Sequence, residues 1–334
     1  MFRDSELAML NGKKILITGG LGFIGSNLVH KCLELGAEIT VFDCLSPESG
    51  GNIFNIDDIR SNITLLNKDI LEFNEISRAV VGQDIIIHCA GSTSHSKSMI
   101  KPWHDHNNNT HGMLNILESM RQNNPECKLI YLGTTTQIGK LNSKCANELH
   151  AEFPKDIYSA NKSVCEKYAL IYAHTYNLNI TALRLSNVYG PRASIHSPDF
   201  TFNNYFIGLA LQDKEITIYG SGEQLRNLIY VDDVVKAIIL MALNDDSGSQ
   251  VYFLVGDEHY SVKDIAQHIV RVFNKGKVKY LEWPEGKERI DVGDAVFTNK
   301  KIRKIINWKP VVNIADGLEH TKNYYLRCLD KYLF

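Results

Sequence analysis

The sequence predicts an α/β protein whose core is a doubly wound parallel sheet. Short apolar runs alternate along the chain with segments of helical period, and the first run, Ile15 to Ile17, leads straight into a cluster of glycines. Strands that alternate with helices pair in parallel through right-handed crossovers. An unbroken apolar run is typical of a strand that is buried on both of its faces, as the strands of a parallel sheet are.

The glycine cluster after the first strand predicts a site for a dinucleotide. Gly19, Gly22 and Gly25 stand at a G-x-x-G-x-x-G spacing, and an amphipathic helical pattern follows them. Such glycines permit a tight turn, let backbone amides approach a pyrophosphate and let the helix pack closely on its strand. The helix N-terminus then offers free N–H groups to the phosphates. Glycines also serve plain turns, so the flanking strand and helix decide in favour of the dinucleotide.

The second strand points to NAD as that dinucleotide. EITVF, residues 38–42, is followed by Asp43, which stands 18 residues past Gly25. A carboxylate at this point accepts hydrogen bonds from a ribose diol and repels a 2′-phosphate. The sequence therefore favours NAD over NADP.

The alternation of strands and helices continues to about residue 190. Further strands are expected in ITLLNKDI, at 84–88, at 128–133 and in NITALRL, and further helices at 73–80, at 112–121 and from 158 to about 176. After Pro191 this rhythm changes, although a last helix is still expected from Ile314 to Leu329. We therefore expect a NAD-binding domain over residues 1–190, which carries the catalytic residues, and a mainly substrate-binding lobe over 191–334, with room for some of its elements to return to the sheet.

Composition narrows the partners and the compartment. The 334 residues carry a net charge of −2, which gives no electrostatic reason to expect nucleic acid or an anionic membrane as a partner. No apolar run approaches 18 residues, and residues 1–11 lack the apolar core of a signal peptide, so we expect a cytoplasmic protein. The seven cysteines form no C-x-x-C pair, and reduced thiols are expected.

A polar segment after the fourth strand holds several histidines. His95, His104, His106 and His111 raise the question of a metal, but no cysteine or acidic residue stands at a recognised ligand spacing from them. Solvated or hydrogen-bonded histidines fit better, and no metal site is expected.

A tyrosine and a lysine four residues apart suggest acid–base chemistry. Tyr158 and Lys162 begin a helical segment, so their side chains share one face. An ammonium beside a phenol lowers the pKa of the phenol, which helps a tyrosine to exchange protons near neutral pH. A Y-x-x-x-K pair is common by chance. It gains weight here because it follows a dinucleotide fold and the hydroxyl cluster Thr134–Thr136 at a strand end.

Several segments together resemble a known family, the extended short-chain dehydrogenase/reductases. They are TGGLGFIG, HCAG, the strand-end Thr134, YSANK, NVYGP and YGSGEQLRNLIYVDD, in this order over nearly the whole chain. The nearest branch is the NAD-dependent nucleotide-sugar epimerases and dehydratases. The resemblance implies a seven-stranded Rossmann-type domain, tightly held NAD and a nucleoside-diphospho-sugar bound between the lobes. It also implies a homodimer packed through helices 103–122 and 156–177.

The resemblance also implies roles for individual residues. Tyr158 matches the catalytic tyrosine, Lys162 the lysine that holds the nicotinamide ribose, and Thr134 the hydroxyl that hydrogen-bonds the sugar. The implied cofactor contacts are Gly19, Gly22, Phe23, Ile24, Gly25, Asp43, Asp69, Ile70, Ala90, Gly91 and Asn109, together with Tyr158 and Lys162. The implied substrate contacts are Ser94, Ser98, Thr134, Asn187, Arg226 and Arg289. For the two arginines, the alternative is an ordinary surface ion pair.

Two departures from the family pattern guide the choice of reaction. The 4,6-dehydratases carry an Asp-Glu pair directly after the catalytic threonine, where this chain has Thr135 and Thr136, and the acidic residue of the decarboxylases is missing as well. The usual V-Y-G that follows is Gln137-Ile138-Gly139. The leading hypothesis is a nucleotide-sugar 4-epimerase. A 4-keto-sugar reductase or a C2 epimerase is the alternative, and a non-catalytic NAD-binding protein fits less well because both Tyr158 and Lys162 are present.

Overall fold

The structure is a computed structural model that describes residues 10–333. The expectations about residues 1–9 and about residue 334, at the outer ends of the two predicted domains, lie outside the described residues. In chain order the strands are β1 Lys14–Thr18, β2 Glu38–Phe42, β3 Thr64–Leu66, β4 Ile85–His88, β5 Lys128–Thr134, β6 Ile180–Leu185, β7 Asn187–Tyr189, β8 Glu215–Tyr219, β9 Leu225–Tyr230, β10 Gln250–Leu254, β11 His259–Ser261 and β12 Lys277–Leu281.

The helices lie between these strands or follow β12. They are α1 Phe23–Glu34, α2 Phe73–Val80, α3 His95–Ile100, α4 Pro102–His106, α5 Gly112–Asn123, α6 Ile157–Tyr176, α7 Phe202–Leu211, α8 Val231–Leu243, α9 Val262–Phe273, α10 Lys287–Ile290, α11 Lys300–Ile306 and α12 Ile314–Tyr325. Short 3₁₀ turns cover Ile53–Asn62, Thr135–Ile138, Asp245–Ser247 and Leu329–Lys331, and a π-helical turn, Asn107–His111, joins α4 to α5.

The central sheet confirms the predicted fold class. Within residues 10–333 it has seven strands in the order β10-β6-β5-β4-β1-β2-β3, and every neighbouring pair is parallel. The order reverses beside β1, which pairs with β2 on one side and with β4 on the other. Ligands of such sheets bind at the carboxyl ends of the strands at this reversal.

Residues of β1 point alternately into two hydrophobic cores. Ile15 and Ile17 pack into the core shared with α1 and α8, whereas Leu16 packs into the core shared with α2, α5 and α6. All residues of β4, β5 and β6 are buried. Burial on both faces is the reason that these strands are mostly apolar.

The second half of the chain contributes to the central sheet and adds smaller sheets beside it. Strand β10 lies parallel to β6 at the edge of the seven-stranded sheet, so the sheet crosses the predicted boundary at residue 190. Strands β7, β9 and β11 form a three-stranded sheet, and β8 pairs with β12. The division of the chain into two domains stays a prediction.

Two long helical stretches lie side by side on one face of the sheet. Asp156 caps α6 by accepting a hydrogen bond from the Ser159 backbone at 2.8 Å, and Asn177, which follows the last residue of α6, has a positive φ of 56°. The helical stretch 102–123 packs against α6. No helix in residues 10–333 is both long and apolar enough to cross a membrane.

Two predicted elements end earlier than expected. Strand β3 stops at Leu66, and the residues after it form a loop at the carboxyl edge of the sheet, where Asp69 Oδ1 accepts a hydrogen bond from Leu71 N at 2.9 Å. The last helix, expected to reach Leu329, ends at Tyr325 and is followed by a 3₁₀ turn.

Candidate functional site

A deep cleft of about 570 Å³ opens at the carboxyl ends of the central strands. One wall comes from the glycine loop after β1, the ends of β2, β4 and β5, and the first turns of α6. The other wall comes from segments 193–204 and 290–297 together with Arg226, all in the second half of the chain. The cleft therefore lies where strand order reverses, and both halves of the chain build it.

The glycine loop has the close packing that a dinucleotide site needs. Gly19 has a φ of +69°, and a Cβ there would lie 2.7 Å from Ala90 N. A Cβ on Gly25 would clash with the Gly19 carbonyl oxygen, so helix α1 can approach the strand only without a side chain at this point. Gly22, Phe23 and Ile24 also line the cleft. The loop and the N-terminus of α1 thus leave an open cradle that fits a pyrophosphate.

Asp43 lies in the cleft directly after β2 and hydrogen-bonds two backbone segments at the edge of the cleft. Its Oδ2 accepts a hydrogen bond from Leu21 N at 3.0 Å, and its Oδ1 accepts one from Leu45 N at 2.8 Å. Burial raises the pKa of this carboxyl, and the two backbone donors oppose that rise. Each carboxylate oxygen keeps a free lone pair. Asp43 can therefore accept hydrogen bonds from a ribose diol, the role that the sequence predicts for it.

The other predicted cofactor residues divide into two groups. Asp69, Ile70, Ala90 and Gly91 line the cleft. Asn109 does not belong to the lining and stands behind it, where its Nδ2 donates to Ser92 O at 3.3 Å. A Cβ on Gly91 would collide with Asn109 Oδ1. Asn109 shapes the loop after β4, and its predicted direct contact with the cofactor stays a prediction.

The predicted catalytic residues come together at the floor of the cleft. Thr134 ends β5, and Tyr158 and Lys162 lie in the first turns of α6; all three are buried side chains that still line the cavity. Thr134 hydrogen-bonds the Tyr158 phenol. The Lys162 ammonium lies 4.6 Å from the centre of the Tyr131 ring, and Tyr131 Oη donates to the Lys162 carbonyl at 3.1 Å. Two segments, the end of β5 and the start of α6, thus form one arrangement.

The electrostatics around Tyr158 differ from the sequence-based expectation. Burial raises the pKa of the phenol, the hydrogen bond from Thr134 lowers it, and the nearby carboxylates Asp156 and Asp105 raise it further. Lys162 is not among the strongest influences on the pKa of Tyr158, although its ammonium lowers the pKa values of Asp105 and Cys89. Burial also lowers the pKa of Lys162. In the protein alone, the predicted effect of Lys162 on Tyr158 is therefore not dominant.

A histidine and an aspartate beside Tyr158 are site residues that the sequence analysis missed. His95 Nδ1 donates to Asp156 Oδ2 at 2.8 Å, and the His95 and Tyr158 rings meet edge to face with centroids 4.9 Å apart. The histidine pattern suggests only a metal ligand at His95, and Asp156 is not among the predicted site residues. An Asp at the first residue before a helical pattern is a capping signal, but no local signal pairs it with a residue 61 positions away.

A chain of hydroxyl groups joins this pair to Thr134. Ser159 Oγ lies 3.1 Å from Asp156 Oδ2 and 2.9 Å from Thr136 Oγ1, and Thr136 Oγ1 lies 3.0 Å from Thr134 Oγ1. Thr135 and Thr136 line the cleft, so hydroxyls stand where the dehydratase pattern has carboxylates. Among residues 10–333, no group of His, Cys, Asp and Glu side chains is arranged to hold a metal ion.

Apart from Thr134 at the floor, the predicted substrate residues that line the cleft are Ser94, Ser98, Asn187 and Arg226. Ser94 Oγ donates to Asp199 Oδ1 at 3.0 Å, and Asn187 Nδ2 donates to Asn227 O at 3.2 Å. Arg289 is exposed and lies outside the lining, whereas its neighbours Ile290, Asp291 and Val292 belong to it. The substrate role of Arg289 stays a prediction without support from its position.

Arg226 is a largely buried cation in the wall of the cleft. Its side chain is 11% exposed, and its guanidinium donates to Asp291 Oδ2 at 2.7 Å and to the Gly293 carbonyl at 2.6 Å. This is not the surface ion pair of the alternative interpretation. A buried guanidinium facing a cavity suits an anionic ligand, because its donors form a fork that matches phosphate oxygens.

Comparison with known proteins agrees with this geometry. The model of the NAD dependent epimerase/dehydratase family matches residues 15–262. The CDP-paratose 2-epimerase of Salmonella typhi is 27% identical, with 92% of this chain and 97% of that protein aligned. The UDP-glucuronic acid decarboxylase 1 of Xenopus tropicalis is 28% identical, with 95% and 73% aligned. The solved UDP-glucose 4-epimerase of Thermotoga maritima, bound to UDP-glucose, is 28% identical with a TM-score of 0.85, over 95% of this chain and 99% of that one.

Proposed function

The chain belongs to the NAD dependent epimerase/dehydratase family, and from this premise we propose that it is a nucleotide-sugar 4-epimerase. The proposed reaction oxidises C4 of a nucleoside-diphospho-sugar transiently and returns the hydride to the opposite face. The cofactor of the family is NAD, as the sequence predicted. NAD is regenerated in each turnover of such a reaction, so no net oxidation or reduction occurs.

One observation carries the choice of reaction: hydroxyls follow Thr134 where an elimination needs carboxylates. Thr136 Oγ1 hydrogen-bonds Thr134 and Ser159, and neither it nor Thr135 can donate or accept a proton near neutral pH as a carboxyl group does. Loss of water from a sugar needs an acid and a base beside the reacting carbons. The site therefore supports oxidation and reduction at one carbon and does not support dehydration.

The residues proposed to hold NAD line the cleft. The Gly19–Gly25 loop and the N-terminus of α1 take the pyrophosphate, Asp43 takes the adenosine ribose, and Asp69 and Ile70 flank the adenine. When bound there, NAD supplies the acceptor and donor of the hydride. Lys162, whose ammonium lies within the floor of the cleft, holds the nicotinamide ribose.

Tyr158 moves the proton in the proposed mechanism. Its phenolate removes the proton of the C4 hydroxyl, and the resulting phenol returns a proton to the C4 oxygen after the sugar has turned over. Thr134 hydrogen-bonds the same hydroxyl and keeps it within reach of Tyr158. Burial raises the pKa of Tyr158, so the positive charges of Lys162 and of oxidised nicotinamide have to stabilise the phenolate.

The diphosphate of the sugar lies against the second wall of the cleft. Arg226 supplies a buried positive charge there, and Asn187 supplies an amide. Asp291 accepts from one N–H edge of the guanidinium, so an incoming diphosphate competes with this carboxylate. Ser94 and Ser98 lie on the sugar side.

A C2 epimerase with the same residues is the second candidate. The Salmonella typhi relative, which matches nearly the full length of both chains, is named as a 2-epimerase. The proton and hydride chemistry at Thr134, Tyr158 and Lys162 would be the same, but the sugar would sit with a different carbon toward the nicotinamide. The residues that bind the sugar would determine which carbon faces the nicotinamide, and analysis of the products distinguishes a 4-epimerase from a C2 epimerase.

We further propose a homodimer that forms through the helical stretch 102–123 and helix α6. Large apolar side chains are exposed on these helices: Trp103 is 78% exposed, Ile171 is 55% exposed, and Val164 lies one heptad before Ile171 on the same face. Paired helices with exposed apolar side chains are typical of an interface between copies.

A panel of sugars tests the proposed reaction. Purified protein is incubated with UDP-, dTDP-, CDP- and GDP-sugars, without added dinucleotide, and the products are separated and identified. An epimerase keeps NAD through purification and brings two sugars to equilibrium from either side. Inversion at C2 would identify the second candidate, and stoichiometric use of added NADH or NADPH would identify a reductase and contradict the proposal.

A further inference from the structure

The structure links Tyr158 to two residues that the proposed chemistry does not yet use. We propose that His95 and Asp156 form a positioning pair for Tyr158, in which His95 packs against the phenol ring and compensates the Asp156 carboxylate, so that the phenolate can form beside it. The inference rests on the proposed role of Tyr158 as the proton acceptor. Neither residue takes the sugar proton itself, and both act through Tyr158.

The geometry supports this pair from two sides. The planes of the His95 and Tyr158 rings make an angle of 84°, so the edge of one ring packs against the face of the other. This contact holds the phenol so that it points into the cleft. The Asp156 side chain is 2% exposed and the His95 side chain is 41% exposed, so the aspartate is a buried acid whose partner reaches solvent. A buried carboxylate without a partner is costly, and His95 provides that partner at 2.8 Å.

Asp156 also touches the rest of the catalytic arrangement. Its Oδ1 accepts from Ser159 N and caps the helix that carries Tyr158 and Lys162. Its Oδ2 is joined through Ser159 Oγ and Thr136 Oγ1 to Thr134. The pair therefore fixes the start of α6, the Tyr158 ring and the Thr134 hydroxyl relative to one another.

The charges that face Tyr158 give the direction of the effect. The pKa of the phenol is raised by Asp156, by Asp105 of α4 and by Cys165, which lies on the same helix as Tyr158. Asp105 in turn faces Lys162, Asn109 and Asn161. Burial works to raise the pKa of Asp156, but the hydrogen bond from His95 and the donors of Ser159 hold it below its usual range. Asp156 is therefore a carboxylate at neutral pH, and His95 is the group that compensates it.

Titration of Tyr158 in the NAD-bound protein tests the pair without any sugar. Phenolate absorbance is followed against pH, and the Tyr158→Phe variant provides the baseline to be subtracted. His95→Phe keeps a ring against Tyr158 and removes the donor, so the midpoint should rise by about 0.5 pH unit or more. Asp156→Asn keeps a good helix cap and removes the charge, so the midpoint should fall.

The double variant and a matched control complete the experiment. His95→Phe combined with Asp156→Asn should titrate like Asp156→Asn alone, because no charge remains for His95 to compensate. His268 makes a similar edge-to-face contact with Tyr260 in the second half of the chain, and His268→Phe should leave the midpoint unchanged. Shifts of both single variants in one direction, additive shifts in the double variant, or no shift at all would overturn the pair.

The same measurement separates this inference from the proposed function. If Tyr158→Phe removes no titrating phenol between about pH 6 and 10, Tyr158 has no ionisation for the pair to adjust, and the inference fails. The epimerase proposal fails instead when no sugar of the panel is interconverted, a result that the titration does not depend on.

Discussion

At the scale of single residues, the account depends most on the buried phenol of Tyr158. Burial and two carboxylates disfavour its ionised form, and Thr134 favours it. Lys162 lies within the same floor of the cleft but is directed at Tyr131. In the proposed mechanism, the positive charge of NAD⁺ would therefore have to supply much of the stabilisation of the phenolate.

Tyr158→Phe should abolish proton transfer and leave the fold and the bound NAD intact. We expect kcat to fall by roughly 10²- to 10⁴-fold, the range for the loss of one acid–base group. Thr134→Val should cost less, because it removes a hydrogen bond and no proton-transfer group. NAD content is measured on the same samples. Turnover near the parental value in Tyr158→Phe would refute the assignment.

Arg226 should act on substrate binding and not on cofactor retention. Arg226→Ala removes a charge-assisted contact and should raise KM for the nucleotide-sugar by roughly 10- to 100-fold, whereas Asp291→Asn frees the guanidinium and should lower KM. Arg303, an exposed arginine paired with Asp257, provides the control, since Arg303→Ala should change neither KM nor the retention of NAD. Loss of NAD with an unchanged KM in Arg226→Ala would place this residue elsewhere.

Asp43 should set the preference for NAD. Asp43→Asn keeps an acceptor for the turn that Leu21 N and Leu45 N define, but it loses the charge that repels a 2′-phosphate. We expect NAD to bind roughly 10-fold more weakly and the difference between NAD and NADP to narrow. Calorimetric titration with both dinucleotides measures this, and unchanged selectivity would remove Asp43 from the ribose site.

At the scale of elements, the sequence predicted what local pattern determines. Helix α2 has the predicted bounds, and β4 and β5 differ by one residue each, because apolar period and capping residues are local signals. The sequence did not predict which partners meet across long separations. His95 and Asp156 lie 61 residues apart, and Arg226 and Asp291 lie 65 apart. A pattern within one segment carries no information on such contacts.

The two long helical stretches should associate with those of a second copy. Ile171→Glu places a charge among exposed apolar side chains of α6, so we expect the protein to become monomeric. Val311→Glu, at an exposed apolar position remote from these helices, is the control and should stay dimeric. Light scattering after gel filtration gives the molar mass. A parental protein that elutes as a monomer would contradict the proposed dimer.

At the scale of the whole molecule, the cleft joins the two halves of the chain. The first half supplies the glycine loop, Asp43 and the arrangement of Thr134, Tyr158 and Lys162. The second supplies Arg226, Asp291 and segment 193–204. Strand β10 anchors this second half at the edge of the central sheet. The proposed epimerisation needs both halves, because a sugar has to be oxidised at one wall while its diphosphate is held at the other.

The fate of a hydrogen at C4 tests this account most directly. A nucleotide-sugar of the panel, deuterated at C4, is incubated with the NAD-bound protein, and both sugars are examined by nuclear magnetic resonance and mass spectrometry. The account predicts that the C4 epimer forms without added dinucleotide and keeps the deuterium at C4, because the hydride leaves and returns within one site. Formation of no C4 epimer, or of one in which the deuterium is lost, would contradict it.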